Sequence, residues 1–190
     1  RNPLGWWWHT PHDLIDKIDE DFLARDTRVV VATLWRLLAD EILPLDHAGH
    51  ATALLDELKT IAPKLEDRLS VARLVEAAES LRQKAQALAS LKAKHDHGKL
   101  DRINAALMRV SRALVPLDYT EGDRFSHDPA LPQPAWPALQ KLRDLAQAKP
   151  GSDAAHFLAV AATRARNRLS HGLRQALEAL DEALAAANAK

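Results

Sequence analysis

The residues with the clearest chemical potential lie near the start of the 190-residue chain, where Gly5 precedes three tryptophans, His9 and Thr10. An imidazole held against aromatic rings can bind a metal ion or transfer a proton. The same aromatic run can also serve packing alone, with His9 as one neighbour among others. A lone histidine does not make a zinc site, and no obvious set of ligands accompanies it. From the residues alone, packing is therefore the preferred interpretation.

Two pairs of histidines are further candidates. His47 and His50 stand three residues apart at the start of a predicted helix, and His95 and His97 flank an aspartate at the end of another. Either pair could take up a divalent ion. Solvated helix ends are the favoured interpretation, because a histidine in a last turn also interacts well with the helix dipole.

A short basic run near the end of the chain consists of Arg164, Arg166 and Arg168. Phosphate or RNA would suit such a run, but no aromatic residues alternate with the arginines. We therefore expect ion pairs with acids of a neighbouring helix, such as Glu178 or Asp181.

Composition limits the classes of function. The 26 basic and 26 acidic residues give a net charge of zero, which argues against a nucleic-acid binder that relies on bulk positive charge. The absence of cysteine excludes disulfides, thiol chemistry and Cys-based zinc sites. No apolar run approaches the roughly 20 residues of a membrane span. Because the only methionine is Met108, we expect a fragment or processed product whose targeting signal lies outside the chain.

Proline and glycine divide the chain into helical stretches, and no segment alternates in the manner of a strand. We expect an all-α fold, an up-down bundle that resembles a four-helix bundle, with one long Pro-rich loop. A first helix is predicted to start with Thr10 as its N-cap, and a longer one to run from Asp21 to Leu43. Asp46 is the predicted cap of the next helix, which carries an apolar stripe. That stripe consists of Ala51, Leu54, Leu55, Leu58 and Ile61.

Two further stretches have the three-four spacing of bundle helices. One runs from Ser70 to His95, and the other from Leu100 to Pro116, which is expected to end it. Their seam residues are Val71, Leu74, Ala78, Leu81, Ala85 and Leu88 in the first, and Leu100, Ile103, Leu107, Val110 and Leu114 in the second.

An Ala-rich helix is predicted from Ser152 to about Ala187, with a length on the order of 50 Å. A helix that long either protrudes from a small bundle or pairs along its length with a partner, and a partner is favoured. Small side chains on one face would let a neighbouring helix approach closely. The candidate dimer-interface residues are Leu158, Ala162, Ala165, Leu169, Leu173 and Leu180.

The periodic pattern stops between Pro116 and Pro137, in a Pro-rich segment that contains Asp123 and Arg124. A structureless loop longer than about 15 residues inside a compact domain is uncommon and usually functional. Asp123 and Arg124 either bind an anion or pair with each other, and neither interpretation is preferred. A short helix is predicted to open at Trp136 and Pro137.

Short motifs along nearly the whole chain resemble one family in their order and spacing. Residues 8–13, Trp-His-Thr-Pro-His-Asp, are similar to the segment that supplies the last zinc ligand in co-catalytic zinc peptidases of the aminopeptidase and glutamate carboxypeptidase II group. Residues 42–46, 112–116, 123–127 and 137–139 resemble the transferrin-receptor-like dimerisation domain. That domain occurs in glutamate carboxypeptidase II, in N-acetylated-alpha-linked acidic dipeptidases and in the transferrin receptor.

The resemblance implies the C-terminal part of a zinc exopeptidase, with residues 1–20 as the tail of the catalytic domain and 21–190 as the dimerisation domain. His9 would be a zinc ligand in the intact enzyme, and Trp8 would take the position of the family's pocket aromatic residue. Asp13 would have a capping role. Because the other ligands and the general base would lie upstream of Arg1, we expect neither peptidase activity nor bound zinc in the fragment itself.

The family's long loop closes the substrate pocket, and residues 116–137 would do so here for a peptide substrate. Residues 129–135 lack the Lys-Tyr pair that binds the terminal glutamate in glutamate carboxypeptidase II, so Arg124 is the candidate anion contact. The expected partners are a second copy, related by a two-fold axis, and the upstream catalytic domain. Nucleic acid is not an expected partner. The family implies a periplasmic, secreted or membrane-anchored extracellular location.

Two alternatives stay open. A receptor-type homologue without peptidase activity would have the same fold, as the transferrin receptor does. An unrelated helical module would bind a partner helix or an anion instead. His9 favours the enzyme, since an inactive relative need not retain the ligand.

Overall fold

The computed structural model describes residues 5–90, 97–122 and 133–189, and the chain divides into two compact units. The N-terminal unit is Arg1–Pro44 and the helical unit is Leu45–Lys190. The division thus falls after Pro44, whereas the resemblance places a domain boundary after residue 20. Within the described ranges, none of the helices has the length and apolar character needed to cross a bilayer.

The N-terminal unit contains turns over residues 6–12, a 3-10 turn at Ile15–Lys17 and helix α1, Glu20–Ala39. The prediction that a helix starts at Thr10 is wrong. The Thr10 hydroxyl instead donates to the carbonyl of Trp7 at 2.6 Å and accepts from the amide of His12 at 3.2 Å, which stabilises a turn. Asp19 is the N-cap of α1, and its carboxylate accepts the amide of Phe22 at 2.9 Å.

The helical unit is built from five α-helices within the described residues. These are α2, His47–Leu65; α3, Ala72–Ala89; α4, His97–Tyr119; α5, Gln140–Gln147; and α6, Asp153–Asn188. All residues of the three predicted apolar stripes in α2, α3 and α4, including Val71 just before α3, are buried, which confirms the periodic assignment. The predicted cap Asp46 is also confirmed, since its side chain accepts the amide of Gly49. Ser152 caps α6 in the same way by accepting the amide of Ala155.

The helix directions alternate as in an up-down bundle. Lys99 of α4 donates to the carbonyl of Ala189, just beyond α6, while Arg168 donates to Pro116 near the other end of α4, so α4 and α6 run antiparallel. Helix α3 packs against α2 and α6, and α5 covers the first part of α6. The all-α bundle expected from the sequence is therefore confirmed.

Pro116 does not end α4, contrary to the prediction. The helix continues through it to Tyr119, and the guanidinium of Arg168 donates to the carbonyls of Pro116 at 2.9 Å and Glu121 at 2.8 Å. Leu117, in the turn after the proline, is buried beside Gly172 of α6. Packing and hydrogen bonds from α6 thus stabilise a turn that proline alone disfavours.

Helix α6 is covered along its length by helices of the same chain. Ala162, Leu169, Leu173 and Leu180 are fully buried, while Leu158 and Ala165 are half-buried. The four fully buried residues among these six dimer-interface candidates therefore belong to the core, and a second copy cannot reach them in this fold. The sequence correctly predicted a long helix that needs packing partners, but α3, α4 and α5 provide them.

Candidate functional site

Trp8 and His9 lie together on the surface of the N-terminal unit. Their rings stack with centroids 3.6 Å apart and planes inclined by 13°. Trp6 makes an edge contact with Trp7 and a tilted contact with His12. Trp6 and Trp8 are exposed and Trp7 is half-buried, as expected for an aromatic run that is only partly covered.

The backbone around His9 has a defined and unusual conformation. His9 has φ of 60°, in the left-handed region that non-glycine residues rarely occupy. Its amide donates to the carboxylate of Asp13 at 3.2 Å, so Asp13 caps this turn rather than a helix. Gly5 is required by close packing, because a Cβ there would lie 2.3 Å from Cε2 of Trp7. Contacts within this segment thus define the backbone from which the imidazole projects.

The His9 ring is accessible, but the described residues around it do not form a metal site. Within the described ranges, neither ring nitrogen of His9 has a hydrogen-bond partner, and the residue is exposed. No group of three or more histidine, aspartate or glutamate side chains in that part of the chain could hold an ion. A zinc site that includes His9 would therefore need ligands from another part of the protein.

The predicted substrate-loop residues Asp123, Arg124, Phe125 and His127 lie outside the described residues, so their roles stay predictions. The two ends of that segment are described. Glu121, at the first end, pairs with Lys141 of α5 at 2.8 Å. At the second end, Arg143 donates to the carbonyls of Ala135 and Trp136 and pairs with Glu57 of α2.

A histidine–aspartate–tryptophan cluster joins the two ends of this loop to α2. Nε2 of His50 lies 3.0 Å from Oδ2 of Asp118, and the His50 ring stacks on Trp136 at 4.6 Å. Trp136 is 2% exposed and adopts a left-handed φ of 51°. Such strained positions persist where surrounding contacts determine them, and here His50, Asp118 and Arg143 all contact this residue.

His47 lies one turn away from this cluster and is 6% exposed. Its Nε2 has no hydrogen-bond partner. Burial lowers the pKa of His47 below its ordinary value of 6.5, and the electrostatic interaction with the neighbouring His50 acts in the same direction. A hydrogen bond with the backbone of Leu107 and the charge of Asp46 oppose this shift more weakly. The ring is therefore neutral near pH 7.

The interpretation of His47 and His50 as solvated helix-end residues is wrong. His47 precedes Ala51 by four residues and Leu54 by seven, so it continues the buried stripe of α2, and this spacing was the available signal. The contact of His50 with Asp118 spans 68 residues and has no such signal. His95 lies outside the described residues, as does the side chain of His97.

Comparison with protein-family models, with curated proteins and with solved structures finds no match for this chain.

The depressed pKa of His47 predicts a pH dependence of stability. The unfolded chain binds a proton at His47 with the ordinary pKa, whereas the folded chain binds it only at lower pH. The contribution of His47 is therefore complete above pH 6.5 and decreases as the pH falls below that value. We expect the free energy of unfolding of the His47→Gln variant to depend less steeply on pH than that of the wild type between about pH 5 and 7.

Urea titrations at several pH values measure this difference. His12→Gln, at an exposed histidine, is the matched control and should keep the wild-type slope. Equal slopes for the wild type and His47→Gln would contradict the assignment.

Proposed function

We propose that this chain combines a docking segment for a catalytic domain with a homodimerisation bundle, as the C-terminal part of a zinc exopeptidase. The N-terminal unit would pack on the catalytic domain and contribute His9 to its zinc site. The helical unit would hold two copies together and bring the segment after α4 to the substrate pocket. The observation that carries the proposal is the exposed apolar surface of α1.

Helix α1 has no buried residue, although apolar side chains cover more than half of its circumference. Trp35 is 71% exposed and Leu38 is 87% exposed. The other large exposed side chains are Phe22, Leu23, Val29, Val30, Val31, Leu34 and Leu37. An amphipathic helix usually packs such an apolar surface against another element of the protein. Covering these side chains would contribute on the order of 10 kcal/mol before the cost of association.

Three of the six charged side chains of α1 form local ion pairs. Arg25 pairs with Asp26 at 2.8 Å, and Arg36 pairs with Asp40 at 3.0 Å. This neutralisation favours an apolar protein surface as the occupant of α1 rather than a charged ligand. The proposed occupant is the catalytic domain of the same protein, which the resemblance implies. Because α1 belongs to the N-terminal unit, which ends at Pro44, the proposed domain boundary moves from residue 20 to residue 44.

We propose that the dimer contact lies on the outward face of α4. Met108, Val115 and Tyr119 are exposed there at spacings of seven and four residues, which puts them on one side of the helix. This face replaces the α6 residues as the proposed dimer interface, because four of those residues are buried in the core. A receptor-type homologue would share this dimer and the docked α1, but it would not need His9.

Substitution of apolar residues on α1 tests the docking. In the parent protein, Leu34→Gln combined with Leu38→Gln should lower the thermal midpoint, because the catalytic domain loses its apolar contact. In the 190-residue chain, the same change should leave the unfolding of the helical unit unchanged, since neither residue is buried. Differential scanning calorimetry of both proteins measures this. Phe157→Gln, an exposed position of α6, is the control, and an unaffected parent midpoint would contradict the docking.

Substitutions on the proposed dimer face and in the core should have different effects, the first on dimerisation and the second on stability. Val115→Glu should shift the chain toward the monomer in sedimentation equilibrium without lowering the free energy of unfolding of the monomer. Leu173→Ala should lower that free energy by about 2–5 kcal/mol, because a cavity forms in the core. A chain that is strictly monomeric at micromolar concentration, or a dimer that Val115→Glu leaves intact, would count against this face.

Removal of the His9 imidazole tests the zinc site. In the parent protein, His9→Ala should reduce bound zinc from two ions to about one per chain and abolish most peptide hydrolysis, because both ions take part in activating water. Elemental analysis and a peptidase assay measure the two effects. His12→Ala is the matched control. A parent that binds no zinc but still dimerises would favour the receptor-type alternative.

A further inference from the structure

A groove between the start of α3 and the middle of α6 has walls of one charge sign. Its volume is about 290 Å³. Arg73 of α3 and Arg166 of α6 line it, and Ser70, Asn167 and Ser170 add hydroxyl and amide groups. The remaining lining residues are the apolar Val71 and Leu74. None of the described residues that line this groove is acidic.

A second groove of the same bundle contains arginines together with acidic residues. Between α4 and α6, Arg109 and Arg112 share a groove with Glu178 and Glu182, and Arg109 pairs with Glu182. The positive charge is therefore compensated by acids of the facing helix.

The groove between α3 and α6 lacks this compensation. Across the ranges that the structure describes, Arg73 forms no ion pair, and the contact of Arg166 is with the neutral Oδ1 of Asn167 at 3.3 Å. The expected acids Glu178 and Asp181 do not lie on a neighbouring helix, because both belong to α6 with the basic run, and Asp181 pairs with Lys84 of α3. Two guanidinium groups at one concave surface repel each other and raise the local positive potential. An anion between them would remove that cost.

We propose that this groove binds a phosphate-type oxyanion, either inorganic phosphate or the phosphate group of a small ester. Guanidinium groups donate paired hydrogen bonds that match the geometry of phosphate oxygens, and the hydroxyls of Ser70 and Ser170 add neutral donors. The first turn of α3, which begins at Ala72, favours the same charge sign. The volume lies near the lower limit of small-ligand pockets, roughly 300 Å³. The groove is thus a small-anion site rather than a surface for a polymer.

Titration of the 190-residue chain with inorganic phosphate, at constant ionic strength against chloride, tests the proposal. Amide resonances of residues 70–74 and 166–170 should shift in a saturable manner, and the thermal midpoint should rise. Arg73→Gln and Arg166→Gln should each weaken phosphate binding at least tenfold. Arg112→Gln, from the groove that contains glutamates, should leave binding unchanged.

Phenyl phosphate distinguishes the two sources of the phosphate group. Tighter binding than inorganic phosphate would support an ester as the ligand, and equal or weaker binding would support free phosphate. Equal shifts with chloride and phosphate would overturn the proposal. So would an equal loss of binding in Arg73→Gln and Arg112→Gln, because it would indicate a general charge effect. Neither result depends on zinc or on dimerisation, so this test is independent of the proposed function.

Discussion

The close packing of α6 against its neighbours is the constraint on which the helical unit depends. The two helices approach closely at Gly172, since a Cβ there would lie 2.8 Å from Cδ1 of Leu117 and 3.2 Å from the carbonyl oxygen of Ala113. This approach lets α4 lie along α6 with Leu169 and Leu173 fully buried. It also brings Arg168 to the carbonyls after Pro116. The end of α4, and with it the start of the long loop, is therefore positioned by α6.

Much of the helical unit could be predicted because its information is local. The apolar stripe of α2 and the seams of α3 and α4 repeat at intervals that only one helix face satisfies. Asp46 and Ser152 precede their helices with the side chains that a first turn requires, and both act as caps. Element type and core residues follow from such patterns without knowledge of the partner helices.

The polar contacts between helices could not be predicted, because their partners are distant in sequence. Arg168 stabilises a proline turn 52 residues earlier, and His50 meets an aspartate 68 residues later. A local rule therefore ends α4 at Pro116 and leaves His50 in solvent. The prediction of Thr10 as a helix N-cap failed for a different reason. Its hydroxyl forms hydrogen bonds similar to those of a cap, but these bonds stabilise a turn. For His9, the residues alone favoured packing and only the family resemblance implied a zinc ligand, whereas its left-handed backbone and stacked tryptophan required coordinates.

The distribution of the five tryptophans gives the protein a built-in optical signal. Trp6, Trp7, Trp8 and Trp35 all belong to the N-terminal unit, and Trp6, Trp8 and Trp35 are exposed. Trp136 alone belongs to the helical unit, where it is buried against an imidazole. Indoles in water emit at longer wavelengths than indoles in a protein core. Coverage of the N-terminal unit would therefore change the long-wavelength emission, while opening of the bundle would change the short-wavelength emission of one residue.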